Sequence, residues 1–395
     1  MIKSKHSNHT SVDSGVVEDE AVASTVTVAG DVVTTELTTS TINGTPVTRF
    51  AITPPEFPVW AVNTFPFEGA GTFSQMYAGG VLAPNGKIYC APRDVNTVLI
   101  IDPETETTST IPTPPPPAYQ GVGKYNGAVM APNGKMYCMT RFSGNVLVVD
   151  TNTNTSEVIA VPSVSASPFF YGGVLAPNGK IYCIPNYARA VYIFDPDTNT
   201  FDFTTMAGVP GGSLKWYSGA LAPNGKIYCA PASRSDVLVI DTNTNTYALP
   251  PSLNTGIAGS EKWSGAVLAP NGLIYCIPCN ATQILVIDPA TDTFRLFGTL
   301  PGGAKYLGGV LGLDGRIYAF PASATEVLVL DVSTETITLV PTTFPVSVVK
   351  YLGSVLAPNG KVFGVPRSIT TVGVISTQLP RIASSWPLNA YFNKS

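Results

Sequence analysis

Imidazole is the side chain most often used to move protons near neutral pH, and this chain carries two, His6 and His9, both in its polar N-terminal stretch. Every later residue position lacks a histidine to serve as general base, triad member or metal ligand. Thiols are better represented. Cys90, Cys138, Cys183, Cys229 and Cys276 each stand four residues after an Asn-Gly pair. Facing sheets pack about 10 Å apart and a disulfide needs Cα atoms within about 7 Å. Cysteines at equivalent places in successive sheets are therefore expected as small buried apolar groups. Cys276 and Cys279 form a CxxC pattern, but in a strand-like run and not at the helix start that activates such thiols.

Carboxylates come next. Asp195, Asp197 and Asn199 match the opening of a calcium-binding loop, yet Thr200 and Met206 stand where an EF-hand requires glycine and glutamate. The same segment recurs as DPETET, DTNTNT, DPDTNT, DPATDT and DVSTET, headed by Asp102, Asp150, Asp195, Asp241, Asp288 and Asp331. A short carboxylate at that point accepts amide hydrogens two or three residues on, so a turn is expected. No acidic cluster is legible, and the expectation is no catalytic residue, no metal and no cofactor.

Two groups of basic and aromatic residues remain as ligand-binding candidates. Nine residues before each turn glycine stands an aromatic: Tyr77, Tyr125, Phe170, Trp216, Trp263, Tyr306 and Tyr351. Immediately before five of them stands a lysine, Lys124, Lys215, Lys262, Lys305 or Lys350. The repeated aromatics suit packing; the lysines are expected as a ring of cations drawing in an anion. A loop that differs from repeat to repeat adds Arg93, Arg141, Tyr187, Arg189, Arg234 and Arg367, types favoured at binding surfaces.

The elements that must position these groups follow from a repeat. The motif LAPNGKIYC recurs seven times, with turn glycines Gly86, Gly134, Gly179, Gly225, Gly272, Gly315 and Gly360, at intervals of 43 to 48 residues. That period fits one four-stranded propeller blade and is too long for ankyrin or leucine-rich repeats. Pro-Asn-Gly joins the first two strands through a type I turn and a left-handed glycine. Continuous apolar runs such as VLVID and IYCIP suit sheets covered on both faces. Glycines crowd the first strand, which is expected at the axis. The seventh repeat lacks its last strand, and FPVWAVNTF at 57–65 is placed to supply it, closing the ring.

NGKIYC followed by VLVIDPxTxTF resembles the Kelch repeat over about residues 77–375, with Cys-x-Pro where that family has a double glycine. A looser similarity runs to the lyase and lactonase propellers. The lyase resemblance implies a catalytic histidine, and no histidine falls in the repeats. The ending SSWPLNAYFNKS resembles those of phage and large-virus structural proteins.

The fold expected is all-β: a seven-bladed β-propeller over 56–380 with a short N-terminal β appendage. Residues 1–20 read as a flexible tail and 21–55 as a hairpin or attachment arm, with a turn at Asn43-Gly44. Residues 381–395 read as a C-terminal tail. A net charge of −4 opposes nucleic-acid binding, no apolar run spans a membrane, and no signal peptide precedes the repeats, so synthesis in the cytoplasm is expected. The functional expectation is a non-enzymatic structural or binding propeller. As a virion surface protein or adhesin, it would hold a protein or glycan on one face and other virion proteins through the arm. The alternatives are a Kelch-like interaction scaffold and a lyase or lactonase-type enzyme.

Overall fold

The computed structural model describes residues 19–28, 31–42, 45–52, 60–67, 75–114, 121–162, 169–346 and 348–377. His6, His9 and the 381–395 tail lie outside these residues. The chain divides into two compact units, Met1–Val59 and Trp60–Ser395.

The first unit is a three-stranded antiparallel sheet of Asp19–Val28, Asp31–Ile42 and Thr45–Ile52. Its last two strands pair up to Ile42 opposite Thr45, on either side of the predicted Asn43-Gly44 turn, which itself lies outside the described residues. The sequence predicts two strands here; a third, Asp19–Val28, pairs along Asp31–Ser40.

The second unit is the seven-bladed propeller. Each blade is a four-stranded antiparallel meander. Blade one is Tyr77–Leu82, Ile88–Pro92, Thr97–Asp102 and Thr107–Pro112. Blades two to seven begin at the inner strands Tyr125–Met130, Phe170–Leu175, Trp216–Leu221, Trp263–Leu268, Val310–Leu311 and Tyr351–Leu356. The inner strand of each blade packs on that of the next, and the seventh packs on the first. Val62–Pro66 forms the outer strand of blade seven, with Thr371 opposite Pro66 and Ile375 opposite Val62, so the two ends of the repeat array close the ring.

Burial follows the apolar pattern. Second and third strands such as Ile88–Pro92 and Asn145–Asp150 are buried almost throughout, because a neighbouring blade covers each face. Outer strands such as Thr107–Pro112 alternate between exposed and half-buried. The turn glycines sit at φ near +80, and Gly86 N donates to Ala83 O at 3.0 Å, which closes the predicted three-residue loop. Asp195 Oδ1 accepts the amides of Asp197 and Thr198 at 3.0 and 3.4 Å, the arrangement expected of a turn. Five cysteines form a buried belt on the second strands, and all six are free. Burial pushes the thiols of the belt well above their ordinary range.

At the axis the inner strands approach backbone to backbone. A Cβ built on Gly127, at φ +76, would stand 2.8 Å from the Cα of Gly172. Only glycine tolerates both the left-handed backbone and that approach.

Candidate functional site

Two positions of the repeat meet at one mouth of the channel. One is the residue after the repeated aromatic: Ala78, Asn126, Tyr171, Tyr217, Ser264, Leu307 or Leu352. Five of these, Tyr171, Tyr217, Ser264, Leu307 and Leu352, line a cavity of about 180 Å³ on the axis. The other position follows the second strand: Arg93, Arg141, Asn186, Ala232, Cys279, Ala322 or Arg367.

A run of backbone hydrogen bonds from blade three round to blade two fixes this second position. Arg93 N donates to Met76 O, Lys124 N to Arg93 O, and Arg141 N to Lys124 O, at 2.8 to 2.9 Å. The same exchange runs from Asn186 through Lys215, Ala232, Lys262, Cys279, Lys305, Ala322, Lys350 and Arg367. It passes from blade seven to blade one where Met76 N donates to Arg367 O at 2.6 Å. Side chains projecting from such a paired backbone are held in fixed order, as a preorganised site requires.

Blades seven, one and two thereby bring Arg367, Arg93 and Arg141 into one arc. Arg93 is buried, and desolvation with the neighbouring Arg141 and Arg367 guanidiniums lowers its pKa to about 10. It remains cationic at neutral pH. Asp94 is the carboxylate that meets the arc, with its oxygen 4.0 Å from Arg93 Nε and already accepting Gly123 N at 2.7 Å. Arg367 Nη2 donates to Gln75 Oε1 at 2.5 Å. The Nε atoms of Arg93 and Arg367 have no hydrogen-bond partner among the described residues. Buried donors left in this state cost about 1–3 kcal/mol each, which a bound acceptor would recover.

Tyr171, on blade three, lies within the field of Arg367 and Arg93. Its ring stacks on Tyr217 of blade four, centroids 4.0 Å apart and planes 6° from parallel. The Tyr217 hydroxyl donates to Glu261 Oε1. Burial, then Tyr171 and Glu261, push the Tyr217 phenol far up, so the hydroxyl stays protonated. Cys279, in the same ring, is pushed up to about 12 by burial and by the Glu261 carboxylate. The mouth thus has a cationic side and, reached through a tyrosine stack, a hydroxyl–carboxylate pair.

The remaining predicted residues are placed differently. Tyr77, Tyr125, Trp216, Trp263, Tyr306 and Tyr351, with Phe170, are buried in the blades. Trp216 and Trp263 Nε1 donate to the carbonyls of Asp236 and Gln283, both at 2.9 Å. Lys124, Lys215, Lys262, Lys305 and Lys350 are buried too. Lys262 Nζ donates to the carbonyls of Ala232, Arg234 and Gly259, and Lys305 Nζ to those of Cys279, Ala281 and Gly303. Lys215 and Lys350 reach Ala188 O and Pro345 O. The wall carbonyls thus take up the charges of Lys215, Lys262, Lys305 and Lys350, and with Lys124 also buried the five do not form an exposed ring of cations. Arg234 is bidentate to Asp236 at 2.6 and 2.7 Å and lies over the Trp216 ring. Arg189 and Tyr187 are exposed. Tyr171, Tyr217, Glu261 and Asn126 are absent from the sequence reading; the signal for the first two and Asn126 is a repeat position where residue type changes from blade to blade.

No family model and no curated protein matches the chain. Solved structures do. A selenomethionine-substituted virginiamycin B lyase from Staphylococcus aureus is 13% identical, with a TM-score of 0.65 over 81% of this chain and 100% of that one. A catalytically inactive histidine-to-alanine form of that lyase with quinupristin gives 11% and 0.66, over 81% and 100%. Hydrazine synthase of Kuenenia stuttgartiensis gives 15% and 0.57, over 79% and 98%.

Identities this low establish the propeller fold alone. They also correct two expectations. The likenesses run to lyase propellers and give the Kelch resemblance and the virus-like ending no support. The expected non-enzymatic virion or adhesin reading is corrected likewise: the lyases and the hydrazine synthase that match are enzymes, and no virion or adhesin propeller stands behind that reading.

Proposed function

We propose that the chain is a lyase-type enzyme acting on an anionic substrate at this mouth of the channel. The observation that carries the reading is the arc of Arg367, Arg93 and Arg141, continued through Tyr171 to the Tyr217–Glu261 pair. The likeness to lyase propellers supports it.

Arginine matches carboxylate geometry with paired donors. In a partly desolvated mouth it stabilises the extra negative charge that builds when a proton leaves the carbon beside a carboxylate. Glu261 takes that proton. The electron pair becomes the new double bond as the bond to the β-leaving group breaks. The leaving group takes the Tyr217 hydroxyl proton, and the proton on Glu261 passes to the Tyr217 oxygen, returning the pair to its starting state. This route uses no imidazole, in keeping with a repeat region that has none.

The test is ultraviolet detection of the conjugated double bond formed from β-substituted carboxylic acids and their esters. Acid–base groups of this kind contribute roughly 10²- to 10⁴-fold, so Glu261→Gln and Tyr217→Phe should each lose about that much turnover. Turnover unaltered in both variants, or no elimination from any acid that binds, would refute the reading.

A further inference from the structure

We propose that the substrate brings two negative charges to the arginine arc, a second anionic group standing beside its carboxylate. The inference rests on the anionic-substrate reading above and names the substrate class.

The charges at this edge of the mouth are unequal. Arg93, Arg141, Arg367 and Lys124 meet one carboxylate, Asp94, among the described residues. Asp94 lies nearest Arg93, at 4.0 Å, and its field also reaches the ammonium of Lys124 in the wall behind. Arg141 and Arg367, both half-buried, are in no ion pair among the described residues. Glu261, the other carboxylate of the mouth, is reached through the tyrosine stack and is held by the Tyr217 hydroxyl.

Contacts of the loops hold the like charges together. Asp94 N donates to Gln75 O at 3.1 Å, and Arg367 Nη2 donates to Gln75 Oε1 at 2.5 Å, so Gln75 joins the loop of the carboxylate to Arg367. Asp94 Oδ1 accepts Gly123 N at 2.7 Å, and Gly123, at φ +75, lies so close to Arg141 that a Cβ there would clash with Nη1. The guanidiniums therefore cannot drift apart to relieve their repulsion, which is stronger in a partly desolvated mouth than in water. A single bound carboxylate leaves the four cations facing two negative charges, Asp94 included. A doubly charged group brings the anionic total to three, and electrostatic complementarity of this kind selects the ligand. Two chemistries supply the second charge: another carboxylate or a phosphoryl group.

The test is titration calorimetry of the full chain, at one ionic strength, with malonate against acetate and methyl phosphate against methyl sulfate. Each pair differs by one charge. Near neutral pH each dianion should bind about tenfold more tightly than its monoanion, within what one added charge gains beside a guanidinium. Acidifying to about pH 5 protonates methyl phosphate, whose second pKa is about 6, and should remove its lead over methyl sulfate. Methyl sulfate takes up no proton there and reports any change in the protein's own groups. Arg141→Gln and Arg367→Gln should each narrow the lead of malonate over acetate to about threefold. Arg234→Gln should leave it, because that guanidinium is paired with Asp236. The tighter of malonate and methyl phosphate identifies the source of the second charge, and either result supports the inference. Equal affinities within both pairs, or a lead that survives both arginine variants, would overturn the doubly charged substrate. The anion site would still stand if acetate binds and weakens in Arg367→Gln. If no anion binds the wild type, the anionic-substrate reading fails and this inference with it.

Discussion

Two rings of side chains lie within a residue or two of each other around the propeller, and they serve opposite ends. In the lysine–aromatic ring nearly every blade supplies the same types, and the structure consumes them. The indoles donate to carbonyls, and the ammonium groups of Lys262 and Lys305 are each held by three. In the ring formed by the next repeat position and by the residue after the second strand, every blade differs. There Arg93 and Arg367 keep Nε atoms without a partner among the described residues. Sevenfold repetition marks what the wall needs seven times. A site needs asymmetry, because a substrate has none of the propeller's symmetry.

Neighbouring residues offer the strongest way to break this comparison. Glu261 and Lys262 are adjacent in sequence, yet one belongs to the site and the other to the wall. Glu261→Gln should lower turnover roughly 10²- to 10⁴-fold with little change in melting temperature. Lys262→Met should do the reverse. It takes the donor from the Arg234 and Gly259 carbonyls, while Ala232 O keeps the Lys262 amide, and an acceptor left without a donor costs about 1–3 kcal/mol where it is buried, so several degrees of melting temperature should go while anion affinity stays. Thermal denaturation and calorimetry on the same two proteins read both quantities. A loss of turnover in Lys262→Met as large as that in Glu261→Gln would collapse the distinction.

A smaller effect sharpens the cationic half. An anion that binds the folded arc stabilises the protein by mass action, about 2.7 kcal/mol at a hundredfold excess over its dissociation constant. Phosphate at increasing concentration should raise the melting temperature of the wild type, and Arg93→Ala or Arg367→Ala should remove most of the rise. Arg234→Ala should not, since that guanidinium is already spent on Asp236. An equal response in all four proteins would reduce the effect to general salt stabilisation.

Sequence and structure diverge along the same line. The blades, the left-handed turn glycines and the closing strand were legible because each depends on a pattern that recurs seven times or fails once in a telling place. Arg93, Arg141 and Arg367 were legible singly, as loop residues. Their convergence was not, since Arg367 and Arg93 are far apart in the chain and meet only when the ring closes. Tyr171 and Tyr217 look like two more aromatics beside Phe170 and Trp216, and only the facing of the inner strand separates channel from wall. The lysines misled for a physical reason: a repeated charge suggests a ligand, but the ends of neighbouring strands offer carbonyls enough to hold it.

The smallest effect probes the wall from within. Burial lowers Lys215 and Lys262 from an ordinary value of 10.5 to about 8, with Arg234 and Arg189 adding to the shift at Lys215 and Asp236 opposing it at Lys262. Below pH 8 both the folded and unfolded chains hold these protons, and the cost of a buried ammonium is constant. Between about 8 and 10.5 the folded chain has released them while the unfolded chain retains them, so unfolding takes up protons and stability rises with pH. Above 10.5 both states are neutral and the gain is complete. The wild type should therefore gain melting temperature relative to Lys262→Met as the pH is raised through that window, by a degree or two. A gap that stays flat, or narrows, would mean that the carbonyls hold the ammonium charged at every pH, and that the wall tolerates its cations at no cost.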